Sequence, residues 1–263
     1  MFEQRDLSPA LETVRERHAP GALVLDVQGD FKTLPPAVAE NLAPLVEAFD
    51  PLEYDPAWVP DSAPEQLHRL AGDEFTVGAP GDGGVAWSRQ TRPPTVFVKP
   101  RLEGSLDDFV EFLVAEALVA AGTGLPEHFL GFFRERYPAL AETGLSPADA
   151  YQLANALYDA YVGLHTRDTF REWGSEDPGL TPLHEAWLDA GSRLEPRLEG
   201  LAGEVARGET SFAAAAELAC SAVKHGIEPP TPFGALATET YREHGAVLAV
   251  RWAEKTLDAL RDA

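Results

Sequence analysis

Cysteine, lysine and long apolar runs are what this chain has least of. Cys220 is the only cysteine, so no intramolecular disulfide can form and no thiolate cluster can hold a metal. Lys32, Lys99, Lys224 and Lys255 are the only lysines among 21 basic side chains, which face 43 acidic ones for a net charge of −22. The most apolar stretch, Phe109–Ala121, is interrupted by Glu111 and Glu116 and is too short to span a bilayer. Met1–Asp6 lacks the basic-then-apolar pattern of a secretory leader. A cytoplasmic protein is expected, with no membrane partner.

The negative charge runs along the whole chain rather than sitting in a tail. In dilute salt such self-repulsion weakens a compact state, and a salt-rich cytoplasm screens it. The composition therefore reads as halophilic. It also argues against general nucleic-acid binding, which needs a basic face.

Helix starts recur in one form. Ser8-Pro9, Ser146-Pro147 and Thr181-Pro182 each set a hydroxyl before a proline at the first helical position. Ser62…Glu65 and Ser105…Asp108 have capping-box spacing. Helices are expected over 8–18, 35–49, 63–71, 106–121, 146–165, 211–224 and 233–260, the last broken at Gly245. A seam of Leu183, Trp187, Ala190, Leu194, Leu198, Leu201 and Val205 marks another, split near Pro196. Ala22–Val27 reads as a strand. Phe75–Ala79, a Pro80-Gly81-Asp82-Gly83 turn, Val85–Gln90 and Thr95–Lys99 read as a three-stranded antiparallel sheet built on a hairpin. No strand is expected after Ser146. The fold class is α+β: an N-terminal half over 1–140 with a small antiparallel sheet, and an all-helical half over 141–263 packed against it.

Three features carry possible chemistry. The first is Glu116. With Phe109 at 0° and about 100° per residue, Leu113 falls at about 40° and Glu116 at about 340°, inside the apolar stripe of its helix. A carboxylate there must be paired, protonated or set in a cleft, so Glu116 is either a general acid–base or a structural ion-pair partner. The second is the stretch Gly83–Leu102, which has no acidic residue but carries Arg89, Arg92, Lys99 and Arg101. These four are candidates for binding an anion, or a cationic face that neutralises Glu116. The third is a stripe of Tyr151, Tyr158 and His165, seven apart on one helix face, with Asn155, Tyr161 and Asp168 beside it. It is either a polar ligand wall or an interhelical layer. The seven histidines never stand three or four apart. No metal site and no cofactor is expected.

Residues 94–138 resemble a known core. The strand leading into Lys99-Pro100-Arg101-Leu102, the helix with Ala115-Glu116-Ala117-Leu118-Val119, then Leu125-Pro126-Glu127-His128-Phe129 and Arg136-Tyr137-Pro138 are similar to the core of SprT-like zinc metallopeptidases. In that family the helix carries His-Glu-x-x-His and a third histidine follows. The resemblance puts the general base on Glu116 and the three zinc ligands on Ala115, Val119 and Leu125, none of which can bind metal. It implies a zincin-like scaffold without its zinc. The acidic, lysine-poor composition and the run Val96–Leu102 also resemble uncharacterised haloarchaeal families, which lend no function. The functions expected are thus a non-enzymatic binding protein, with a protein partner or a small anionic ligand, a metal-independent hydrolase using Glu116, or a helical scaffold docking through Phe129, Phe132 and Phe133.

Overall fold

The computed structural model describes residues 2–34, 36–72, 74–79, 83–175 and 177–261. The fold is α+β, with a small mixed sheet of four strands in the N-terminal half and helices in the C-terminal half. The chain divides into two units. One comprises Met1–Tyr54, Glu65–Glu127 and Glu172–Ala186, the other Asp55–Pro64, His128–Arg171 and Trp187–Ala263.

The first unit is built on β1 (Phe2–Gln4), α1 (Pro9–His18), β2 (Leu23–Val27), α2 (Pro36–Ala39), β3 (Ala48–Phe49), α3 (Glu65–Ala71), β4 (Val85–Ser88), β5 (Thr91–Arg92), β6 (Thr95–Val98) and α4 (Asp107–Gly122). The main sheet has the order β1-β2-β6-β4. β4 and β6 pair antiparallel, with Ala86 opposite Phe97, as the sequence implies. The expected third strand differs. Phe75–Ala79 supplies only a bridge from Val77 to Leu34, and the turn residues Pro80–Asp82 lie outside the described residues. β2 takes that place and runs parallel to β6, with Leu25 level with Phe97.

The reason is burial on both faces. Thr95, Val96, Phe97 and Val98 are all buried, and a parallel pair suits a strand covered on each side. Phe97, Leu25, Val27, Phe2 and Ala86 face a layer formed by Phe31, Leu34, Ala39, Leu42, Phe75 and Val77. α4 packs against β4 and β6, and α1 packs against α4. These two helices approach closely at Gly122, where an added Cβ would stand 1.9 Å from the His18 carbonyl oxygen. Only glycine fits there.

Helix starts follow the sequence in part. The Ser8 hydroxyl accepts from the Leu11 amide, 3.3 Å, and opens α1. The helix expected over 35–49 is cut to α2 and a 3-10 turn at Glu40–Leu42, with β3 following. Pro44 lies in that span and cannot sit inside a helix. The capping box at Ser105 is not used: α4 begins at Asp107 with Leu106 as its N-cap residue and no side-chain cap.

The second unit holds α5 (Phe129–Phe133), α6 (Tyr137–Ala141), most of α7 (Pro147–Glu172), the end of α8 (Thr181–Ser192), α9 (Glu195–Leu198), α10 (Leu201–Ala206), α11 (Phe212–Lys224) and α12 (Glu239–Arg261). No strand occurs in it among the described residues. The seam from Leu183 to Val205 is divided among α8, α9 and α10, and α12 kinks at Gly245. Gly245 has φ of 45°, and a Cβ on it would stand 3.0 Å from the ring of Phe132 and 3.1 Å from that of Tyr161. The Tyr241 hydroxyl, fully buried, donates to the Leu157 carbonyl at 2.8 Å and ties α12 to α7. Cys220 is buried in α11.

Candidate functional site

Glu116 is half-buried on α4. The deeply buried side of α4 is formed by Val110, Val114, Ala115 and Leu118. Phe109 is 36% exposed, and Leu113 and Glu116 beside it are half-buried. The buried side chains of Phe112 and Ala120 flank Glu116 on the helix surface, so it stands where the packed and open parts of α4 meet, with its Oε1 enclosed. Almost every position of α4 is apolar, so the sequence does not single out the face that packs.

The four basic candidates fall in separate places. The Arg89 guanidinium donates to the carbonyls of Thr123, at 2.8 Å, and Leu125, and lies 5.6 Å from the Trp87 ring. Arg92 is exposed and pairs with Asp50 at 3.2 Å. Lys99 is buried, its Nζ 4.6 Å from the Phe31 ring centroid. Arg101 pairs with Asp30 at 2.8 Å and donates to the Phe31 carbonyl. Its hydrogen bond holds the Asp30 carboxyl below the ordinary value. Lys99 and Arg101 thus meet at one loop, 30–31. Arg89 braces the loop after α4, and Arg92 stands at the surface.

Two members of the stripe on α7 pack against α5. Tyr151 and Tyr158 are buried, with Phe129 5.2 Å from Tyr151 and Phe132 5.5 Å from Tyr158 between ring centroids. His165 packs 4.6 Å from Tyr161, and burial pushes its imidazole below the ordinary value, with Arg242 adding to the effect. Of the three rings expected to form a docking surface, Phe129 and Phe133 are fully buried and Phe132 is half-buried. An apolar helix of this length turns its rings into the core.

One polar cluster escaped the sequence reading. Glu127 accepts from the Ser88 hydroxyl at 2.8 Å, the Arg89 amide at 2.7 Å and the Gln90 side-chain amide at 2.7 Å. Gln90 also donates to the Thr76 carbonyl at 2.7 Å and accepts from the Leu52 amide. Burial pushes the Glu127 carboxyl up, against the lowering effect of its hydrogen bonds. Burial, with the carboxylate of Glu127 nearby, also raises the Tyr54 phenol. A carboxyl moved towards neutrality can serve as a general acid or base. Here, however, Ser88 and Gln90 are 0% and 1% exposed. They hold the carboxyl of Glu127, itself half-buried, by hydrogen bonds. The cluster ties together the segments at 52, 76, 88–90 and 127. No local spacing announces it, since its members come from four parts of the chain.

A family model described as Family of unknown function (DUF7089) matches residues 1–260. The chain belongs to that family. No curated protein and no solved structure matches it.

In this member of the family, the ligand positions of the resemblance to a zinc peptidase are filled by apolar side chains. Ala115 and Val119 are buried and Leu125 is half-buried. Among the described residues no three His, Cys, Asp or Glu side chains are grouped to hold a metal ion. Among them too, no helix is long and apolar enough to cross a membrane.

The remaining unusual feature is the start of α4. Leu106 is 68% exposed, the most exposed of the large apolar side chains identified, and Phe109 follows one turn later. With Leu113 they stand at i, i+3 and i+7, in line on one face.

Proposed function

We propose that this chain is a salt-adapted, cytoplasmic, non-enzymatic interaction protein that works through the outward face of α4. The observation that carries the reading is Leu106: an apolar side chain, 68% exposed, at an N-cap position with no side-chain cap. Serine at that position is favoured over an aliphatic residue by about 0.5–2 kcal/mol. A residue that breaks a local rule without a local gain points to a task outside the fold. The reading is supported by the groups that could do chemistry. Arg89, Arg92, Arg101, Ser88, Gln90 and Glu127 are each engaged within their own unit. A strand, a 3-10 turn and a helix follow one another over Thr95–Gly122, where the sequence resembles the SprT-like core. It is read as a scaffold on which Glu116 has no zinc ligands beside it. Salt adaptation is supported by the net charge of −22 and its spread along the chain.

One melting series tests both parts. The parent and Leu106→Ser are unfolded from dilute buffer to molar KCl. Both midpoints are expected to rise with salt, and Leu106→Ser to melt at or above the parent, since the cap is restored and little packing is lost. A midpoint flat in KCl removes the salt adaptation. A Leu106→Ser variant weaker by more than about 1 kcal/mol makes Leu106 a packing residue and removes the interaction reading.

A further inference from the structure

We infer that the Leu106–Phe109–Leu113 face of α4 receives a basic amphipathic helix from a partner protein, an inference that rests on the interaction reading above. The spacing i, i+3, i+7 is that of the anchors by which one helix lies along another. α4 is a 16-residue helix, so it offers more than four turns to such a partner.

Charge names the class of partner. From Leu102 to Phe133 the chain has no lysine or arginine, and Glu103, Asp107 and Asp108 at the start of α4 are exposed. Glu111 accepts from the Ser8 hydroxyl at 3.0 Å. A second copy of this chain would set those carboxylates against their own kind, and like charges brought together across an interface are costly. A neutral or acidic helix gains nothing from them. A helix with lysine or arginine flanking its apolar stripe meets Asp107 on one side and Asp108 on the other at the start of α4. In molar salt the Debye length shrinks to about 3 Å, so these charges act only at contact. There they select the partner, while Leu106 and Phe109 supply the attraction.

The test is the binding of a labelled Leu/Lys amphipathic peptide of about 18 residues, five turns, to the full chain in molar KCl, read by fluorescence anisotropy. The parent is expected to bind it and to ignore a Leu/Glu peptide of the same pattern. Leu106→Ser and Phe109→Ala should each bind about tenfold more weakly or worse, a loss of about 1.4 kcal/mol. Leu188→Ser, at a 51% exposed leucine on α8, is the control and should bind as the parent does. All three variants change no charge. Equal binding by parent and variants means unspecific attraction and overturns the proposal, as does equal binding of the Leu/Glu peptide or no binding of either. Sedimentation of the same proteins separates the two readings. Self-association lost in Leu106→Ser overturns the partner class while leaving an interaction face in place. No binding and no self-association, with Leu106→Ser destabilised, removes the interaction reading itself.

Discussion

Glu127→Leu is expected to destabilise the chain by about 2–5 kcal/mol, because it leaves up to three buried donors without their acceptor and each costs about 1–3 kcal/mol. Those donors are the Ser88 hydroxyl, the Arg89 amide and the Gln90 side-chain amide. The hydroxyl can turn to another acceptor, which holds the total below the sum. Glu127→Gln keeps the shape and one acceptor oxygen, and should lose less. The pH dependence has a definite sign. Burial raises the folded-state value of Glu127, so the native chain holds its proton more tightly than the unfolded chain does. The associated stability is complete below the ordinary carboxylate value near 4.5 and is lost as pH rises through the raised one. Glu127→Gln should remove that decline. Urea unfolding of the three proteins across pH measures both effects. A Glu127→Leu variant as stable as the parent would show that the cluster does not brace its loops.

Acid should weaken the chain through His128. Its Nδ1 accepts from the Leu130 amide at 3.1 Å, so the imidazole caps α5 only while neutral. Its ring lies 4.2 Å from that of Phe129. Burial pushes the imidazole down to about 3, from 6.5. The unfolded chain therefore takes up a proton that the folded chain refuses. Stability from this group is complete above 6.5 and falls as pH drops from there towards 3. The slope is about 1.4 kcal/mol per pH unit, or about 2–3 kcal/mol by pH 4.5. Asparagine keeps an acceptor at the cap and does not titrate. The difference in stability between parent and His128→Asn should thus shrink or reverse as pH falls through that window. Two curves running parallel from pH 7 to 4.5 would refute the assignment.

Much of the fold was legible because its signals are local. Ser8 and Ser211 cap the helices they precede, and Phe212, Ala216, Ala219 and Val223 face inward from α11 as their spacing implies. β4 and β6 stand out by their β-branched and aromatic residues. What was not legible depends on distant partners. Phe2–Gln4 is too short to show a period, and the parallel pairing of β2 with β6 joins residues far apart in the chain. In α4 apolar residues occupy nearly the whole circumference, so periodicity could not tell the core side from the outward side. The same uniformity hid Leu106 and Phe109 as exposed residues. Glu127 was missed because its three donors come from β4 and the residues after it, some 37–39 positions away.

The most direct test of the account places a photoreactive amino acid at position 109 and, separately, at 188, and irradiates each full-length protein in native cell extract at molar KCl. The outward face of α4 predicts one discrete adduct from position 109, lost when Leu106→Ser is added, whose cross-linked segment is basic and amphipathic by mass spectrometry. Position 188 should not give it. The same adducts from both positions, or none from position 109, would contradict the claim that this face is where the protein does its work.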